Sequence, residues 1–252
     1  MSEQHIPGIH NYCDRWCERC TFTSRCAVGE SESNLSPEEK DITNQAFWNK
    51  LAESFAKAMV LIQKAADEHG FDLTMTEEEK KEYHENEKRK RKEGREHPIG
   101  TLSWDYAETA LKWLEENAVK ENLDGLVQRV TLGIQTEEAG IRQVKAIEEC
   151  LSVIQWYVHF IHVKFMRALM GRMEDDGWEI ENGFQRDYDG SAKIAMIAID
   201  RSMQAWGLLY ELMPDEEDTL LRLLAMLQKL KSLAETEFPD ALKFIRPGFD
   251  EV

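Results

Sequence analysis

The sequence lacks the features that would mark a membrane protein or a familiar enzyme. No uninterrupted apolar run reaches the roughly 18–20 residues that a membrane span requires. The first residues contain neither the basic nor the apolar segment of a secretory signal, so we expect a cytoplasmic protein. The phosphate-binding, dinucleotide-binding, serine-hydrolase and zinc-protease motifs are also missing. The sequence therefore names no reaction, and whether the protein is an enzyme stays open.

Positive charge is also scarce. The chain of 252 residues has 31 Lys and Arg against 48 Asp and Glu, which gives a formal net charge of −17 at pH 7. A negative surface repels phosphate backbones and anionic lipid, which argues against nucleic acid and membrane as partners. We expect a protein partner instead, and a basic surface on that partner would fit the charge best.

Cysteine is rare over most of the chain and concentrated at one place. Four of the five cysteines lie within fourteen residues, in the order Cys13, Cys17, Cys20 and Cys26, with the spacing C-x3-C-x2-C-x5-C. Loops this short and polar cannot bury four thiols as small hydrophobic side chains, whereas thiolates that converge usually bind a metal. In a reducing cytoplasm metal binding is also favoured over disulfides. The fifth, Cys150, lies in an apolar helical run and is predicted to be a buried core thiol.

The last three cysteines resemble a known iron–sulfur loop. The pattern Cys17-x2-Cys20-x5-Cys26 is similar to the cluster loop of endonuclease III-type DNA glycosylases and to that of iron–sulfur nucleases of the AddB and CRISPR-associated types. The resemblance covers about fourteen residues, with a shorter first gap and without the glycosylases' helix-hairpin-helix. It implies a [4Fe–4S] cofactor and no activity. The first three cysteines also match the radical-SAM spacing, but the rest of the chain contradicts that α/β barrel.

Three states of the four thiols are open from the residues alone. A compact run with unequal gaps is typical of a [4Fe–4S] cluster, around which Trp16 and Phe22 would exclude water. Zinc is the alternative, although structural zinc sites usually have two cysteine pairs with a longer spacer. Disulfides or unliganded thiols are the third. His5 and His10 lie close enough in sequence to replace one cysteine.

Apolar periodicity predicts an all-α protein, a helical bundle of four to five long helices with a small N-terminal cysteine-rich metal-binding lobe. We expect a lobe and linker over residues 1–35, with the linker from Gly29 to Leu35, and a bundle domain over 36–252. Ser36 and Ser103 are predicted helix caps. The longest helix should span about 136–173 at the centre of the bundle, followed by helices over 191–213 and 216–237. Residues 123–135 fit a short strand or an irregular helix.

Residues 77–97 form a charged segment with almost no apolar side chains. It contains eight acidic residues and eight Lys or Arg. A segment with no apolar face buries nothing, so a solvated helix or insertion is expected. The basic run from Lys88 to Lys92 is flanked by acidic residues, which favours a solvated charge run over a nucleic-acid patch.

Polar side chains follow one side of two apolar helices. Glu148, His159 and His162 lie on one side of the central helix, and Asp200 and Glu211 on one side of the next. If these sides faced each other, the five residues would line an internal pocket for a metal or a substrate. A buried salt-bridge network and an exposed polar face are the two other readings.

These patterns predict an iron–sulfur protein that acts as a redox, electron-transfer or accessory module. The alternative is a zinc- or cluster-stapled interaction protein without redox activity. A nucleic-acid-processing accessory ranks third, because it rests on the borrowed cysteine pattern and the net charge opposes it.

Overall fold

The computed structural model describes residues 5–116 and 118–250. Residues 1–4, 117, 251 and 252 belong to the predicted lobe and bundle but lie outside the described residues. The described chain is helical and contains no strand, which confirms the all-α prediction. It divides into two compact units, one up to Lys88 together with the residues from Pro247 onward, and one from Arg89 to Arg246. The predicted boundary after residue 35 stays a prediction.

Short turns and helices make up the first unit. Residues 5–26 contain three 3-10 turns, Ile9–Asn11, Cys17–Arg19 and Thr23–Arg25. The helices that follow are α1 (Ala27–Ser33), α2 (Pro37–Lys40), α3 (Gln45–His69) and the first part of α4 (Glu77–Glu96).

The predicted linker after the cysteines is a helix. α1 begins directly after Cys26, whose sulfur accepts a hydrogen bond from the Gly29 amide. The prediction was wrong because a thiol at the N-cap satisfies one of the free amides of the first turn, as a serine would. Ser36 caps α2 as predicted: its hydroxyl accepts from the Glu39 amide, and the Glu39 carboxylate accepts from the Ser36 amide.

Four long helices form the second unit. They are α5 (Pro98–Glu115), α7 (Glu137–Met173), α9 (Asp187–Leu212) and α10 (Glu217–Glu237), accompanied by α6 (Ala118–Thr131) and the short α8 (Trp178–Glu181). α7 packs against α5 and α9, and α10 closes the ring by packing against the same two helices. Each helix therefore buries one stripe against two neighbours, which is the arrangement of a four-helix bundle.

Aromatic side chains fill the centre of the bundle. The indole of Trp206 donates a 3.0 Å hydrogen bond to the Tyr106 hydroxyl and meets the Trp113 ring edge-on at 5.1 Å between centroids. The Trp113 indole donates in turn to Glu216 at 3.0 Å. The indole N–H groups of both tryptophans are therefore paired inside the core.

The long central helix is confirmed, although its packing is one-sided. Ile147, Ile154, Ile161 and Phe165 are completely buried along one stripe of α7. On the other side of the helix, Val163 is 60% exposed. Cys150 is buried in α7, as predicted.

The start of α5 corrects two further predictions. The helix begins at Pro98, capped by the His97 ring, which accepts from the Ile99 amide at 3.2 Å. Ser103 is therefore not a cap but a buried residue inside the helix. The charged helix α4 was expected to bury no residue, but Lys90 and Gly94 are buried in it. A Cβ on Gly100 would lie 1.9 Å from the Gly94 carbonyl oxygen, so the backbones approach where both residues are glycine.

Two other expectations are settled by the helices themselves. Residues 123–135 are helical up to Thr131, which excludes the strand reading. Within 5–116 and 118–250, no helix combines the length and the apolar character needed to cross a membrane.

Candidate metal centre

The cysteine lobe is a tightly turned segment that closes on itself. The Ile6 amide donates to the Arg25 carbonyl at 2.9 Å, which ties the beginning of the segment to its end. The Thr23 hydroxyl lies 3.2 Å from the Cys17 carbonyl and 2.9 Å from the Cys20 carbonyl, so it holds two successive turns together. These polar contacts bring the four cysteines to one side of the segment.

A strained residue bends the chain between the first two cysteines. Arg15 has φ 60°, the left-handed conformation that most side chains avoid. The preceding Asp14 carboxylate accepts from the Trp16 amide at 3.2 Å, which stabilises the same turn. Arg19 lies over the Trp16 ring, 3.8 Å from its centre. The three-residue gap therefore reverses direction locally and returns Cys17 toward Cys13.

Backbone amides point at two of the sulfurs. The Phe22 amide donates to the Cys20 sulfur, and the Gly29 amide donates to the Cys26 sulfur, both at 3.4 Å. Donors of this kind stabilise negative charge on sulfur, and they are among the contacts by which proteins tune iron–sulfur centres.

All four cysteines line one small cavity of about 20 Å³. Its other walls include Ile9, Trp16, Phe22 and Phe249, and the Phe22 and Phe249 rings meet edge-on at 5.0 Å between centroids. Apolar rings around a group of sulfurs exclude water and lower the local dielectric constant. The four predicted ligands thus share a common environment, although they are spread over fourteen residues.

The thiols surround this cavity without meeting at a point. Within the described chain, no three His, Cys, Asp or Glu side chains are placed to hold one metal ion. Burial raises the pKa of Cys13, and burial followed by a hydrogen bond to Glu32 raises the pKa of Cys17 to about 12. Any metal that binds here must therefore displace protons from these thiols.

The two histidines that could replace a cysteine as ligand make other contacts. The His5 ring lies 2.6 Å from the Glu30 carboxylate. His10 lines the cavity with the cysteines and accepts, through its carbonyl oxygen, the 3.5 Å contact from the Cys13 thiol.

Sequence reasoning missed one wall of the cavity. Phe249 lies more than two hundred residues after Cys26, and no local pattern marks it. Its position depends on Gly248, whose φ of +75° would strain any other residue and whose Cβ would lie 2.9 Å from Ile6. The only local signal was the Pro247-Gly248 pair, which marks a turn but not its neighbour.

The structure does not bring the second group of predicted residues together. Glu148 is exposed and lines a cavity between α6 and α7, and His159 and Glu211 are exposed. Asp200 pairs with Lys231 of α10 at 2.6 Å. The physical reason is that α9 has two neighbours, and its Asp200 side turns to α10 instead of α7. The reading as an exposed polar face with local ion pairs describes these residues best.

His162 takes part in a different contact. Its Nδ1 lies 2.9 Å from the Ser103 hydroxyl, and its ring meets Trp104 edge-on at 5.2 Å. Burial lowers the pKa of His162, and the charge of Arg95 lowers it further. Ser103 is fully buried and also donates to the Gly100 carbonyl at 3.1 Å, so this pair joins α5 to α7 and does not present a nucleophile.

Comparison with known proteins adds no relative to this geometry. No protein-family model, no curated protein and no solved structure matches the chain.

Proposed function

We propose that the protein binds one [4Fe–4S] cluster through Cys13, Cys17, Cys20 and Cys26 and serves as a redox or accessory module. The observation that carries the proposal is the common cavity that all four cysteines line. The compact run of four cysteines with unequal gaps favours a cluster over a single zinc ion, because structural zinc sites usually have two cysteine pairs with a longer spacer. The amides directed at Cys20 and Cys26 support the same assignment, because they stabilise thiolate charge.

The residues around the cavity have separate tasks in this proposal. Trp16, Phe22 and Phe249 exclude water from the sulfurs, which is one of the factors that set a reduction potential. Burial raises the pKa of Cys13, and the backbone hydrogen bond and charge of Arg15 partly offset that rise. A bound cluster would supply one-electron transfer. The net charge of −17 would steer a basic protein toward the chain and repel nucleic acid.

Composition supports a compartment for this role. Clustered thiols remain reduced in the cytoplasm, where metal binding is favoured over disulfides. We therefore propose a cytoplasmic protein.

Metal analysis of the full chain, purified without exposure to air, tests the cofactor. We expect about four irons and four sulfides per chain, from the composition of the cluster. Cys20→Ser should lose most of the iron, whereas Cys150→Ser, which changes a buried thiol of α7, should retain it. One zinc per chain without sulfide would overturn the proposal.

A structural role is the second candidate, and one observation favours it. Among residues 5–26, Ile9 is the only buried side chain. So small an apolar core supplies little free energy of folding, and a zinc ion or a redox-inactive cluster would add to it by cross-linking the lobe. Reductive titration separates the candidates: a centre that cycles reversibly between about −700 and +450 mV supports electron transfer. A centre that is lost on reduction, or that is never reduced, supports the structural role.

A further inference from the structure

Helix α3 exposes the largest apolar side chains of the first unit. Phe55 is 65% exposed and Ile62 49% exposed, and Trp48, Leu51 and Met59 are exposed as well. α2 packs against this helix. The apolar stripe runs from Trp48 to Ala65, about 27 Å of helix at 1.5 Å per residue, which is longer than a protein surface normally leaves in water.

The stripe has the spacing of a coiled-coil seam. Steps of three and four residues alternate along Trp48, Leu51, Phe55, Ala58, Ile62 and Ala65. This alternation keeps one narrow line of side chains facing a partner helix over three heptads. Val60, which is also exposed, lies away from the line.

The charges of α3 suit a second copy of the same helix. Its three lysines are balanced by three acidic residues, so the helix has no net formal charge in a chain of −17. All three lysines are paired inside the helix, Lys50 and Lys57 with Glu53 at 3.8 and 3.7 Å and Lys64 with Glu68 at 3.7 Å. Two acidic chains therefore meet least repulsion if they approach each other along α3.

Side-chain sizes along the seam select an orientation. In an antiparallel pair each layer combines one residue from each end of the seam, and the layers are Trp48 with Ala65, Leu51 with Ile62, and Phe55 with Ala58. Every layer then has a large and a small side chain or two of middle size, which fills space evenly. A parallel pair would instead oppose Trp48 to Trp48 and Ala58 to Ala58, which crowds some layers and empties others.

We propose that the protein forms a two-fold symmetric dimer in which α3 packs antiparallel against α3 of a second copy. The seam is self-complementary, as a two-fold interface requires. The pairing removes the apolar stripe from water in both copies at once. This proposal is independent of the metal.

Sedimentation of the intact, anaerobically purified protein at micromolar concentrations tests the dimer. We expect a dimer whose dissociation constant rises ~100-fold or more in Phe55→Glu, because a central apolar anchor becomes charged. Val60→Glu is the matched control, with the same charge on an equally exposed residue off the seam, and should leave the constant nearly unchanged. A monomeric wild-type chain, or equal effects of the two variants, would overturn the proposal.

A charge swap tests the orientation. Leu51→Glu alone places a carboxylate against Ile62 of the other copy and should weaken the dimer. Leu51→Glu with Ile62→Lys places opposite charges in both of these layers of the antiparallel pair and should restore it, whereas a parallel pair would oppose Glu to Glu and Lys to Lys and stay weak. Helix content by circular dichroism checks that both variants fold. If the double variant does not recover the dimer, the antiparallel pair is contradicted. A dimer that another protein bridges would contradict it as well.

Discussion

The cysteine lobe and the four-helix bundle are stabilised by different means. In the bundle, Ile154, Phe165, Trp206 and many other side chains are removed from water, and their buried area supplies the free energy of folding. Between residues 5 and 26 only Ile9 is buried, and hydrogen bonds of turns do most of the ordering. A hydrophobic core therefore accounts for the order of the bundle, whereas the lobe has almost no such core, and the proposed cofactor would supply the stability that it lacks.

Removing the proposed metal centre should produce the largest difference between the two regions. A strong chelator, or Cys17→Ser with Cys20→Ser, is expected to abolish protection of the amides in residues 5–26. Structural metals contribute on the order of 10–16 kcal/mol to small domains at neutral pH. Hydrogen exchange followed by mass spectrometry measures both regions at once.

The bundle provides the control for that experiment. Amides of α7 around Ile154 should exchange as slowly in the metal-free protein as before, because their protection depends on buried area. If the lobe amides stay protected after the metal is removed, the two regions do not differ as proposed. The same conclusion follows if the bundle amides lose their protection when the metal is removed.

A cavity in the bundle should have the next largest effect. Ile154→Ala removes apolar atoms from a fully buried site of α7 and should cost about 2–5 kcal/mol in the free energy of unfolding. Val163→Ala, on the exposed side of the same helix, should cost less than about 0.5 kcal/mol. Urea unfolding measures both. Equal costs would mean that the two sides of α7 are equally covered.

Asp189 gives a pH-dependent test of burial in the bundle. Burial, followed by the charge of Asp240, raises the pKa of Asp189 to about 6, whereas an unfolded aspartate has a pKa near 3.9. The folded state then holds this proton more tightly, so its contribution to stability is present below about pH 4 and is lost as the pH rises through about 6. Asp189→Asn should therefore stabilise the bundle by about 1–3 kcal/mol at pH 7 and by nearly nothing at pH 4.

The matched control lies two residues earlier on α9. Asp187 accepts hydrogen bonds from the Arg167 guanidinium at 2.8 and 2.9 Å, so Asp187→Asn should destabilise slightly at pH 7 instead of stabilising. Urea unfolding at the two pH values measures both variants. A gain for Asp189→Asn of the same size at pH 4 would show that charge is not its cause.

The smallest effect concerns a local cap in the first unit. Ser36→Ala removes one half of the capping box with Glu39 and should cost about 1 kcal/mol, expressed locally at α2. A loss of about 1 kcal/mol raises the population of the opened α2 about five-fold. Hydrogen exchange of the Glu39 and Lys40 amides should therefore accelerate by the same factor. Ser54→Ala, which removes a hydroxyl from the middle of α3, serves as control. No acceleration would mean that the cap contributes nothing to α2.

Much of the fold was predictable because it depends on local patterns. Alternating steps of three and four apolar residues specify a helix wherever it packs, so α7, α9 and α10 were predicted within a few residues. The start of α5 was missed because Pro98 and the His97 ring form a less common cap than a serine. The helix after Cys26 was missed because a thiol is not an expected N-cap.

The site was predictable in composition but not in its walls. Four cysteines in fourteen residues have to lie close together, because the chain between them is short. Phe249 could not be assigned to the cavity, since it comes from the other end of the chain and no local pattern places it there. The polar residues of α7 and α9 failed for a related reason: each helix has several neighbours, and spacing along one helix does not say which neighbour Asp200 faces.

The sequence by itself determined the helical class, the positions of the long helices and the concentration of thiols, because each depends on residues close together in the chain. Only the tertiary structure decided which surfaces are covered. It buried one side of α7, turned Asp200 to Lys231, joined Ser103 to His162 and placed Phe249 beside the cysteines. Burial and contact between distant residues depend on how whole elements pack, and periodicity within one element does not contain that information.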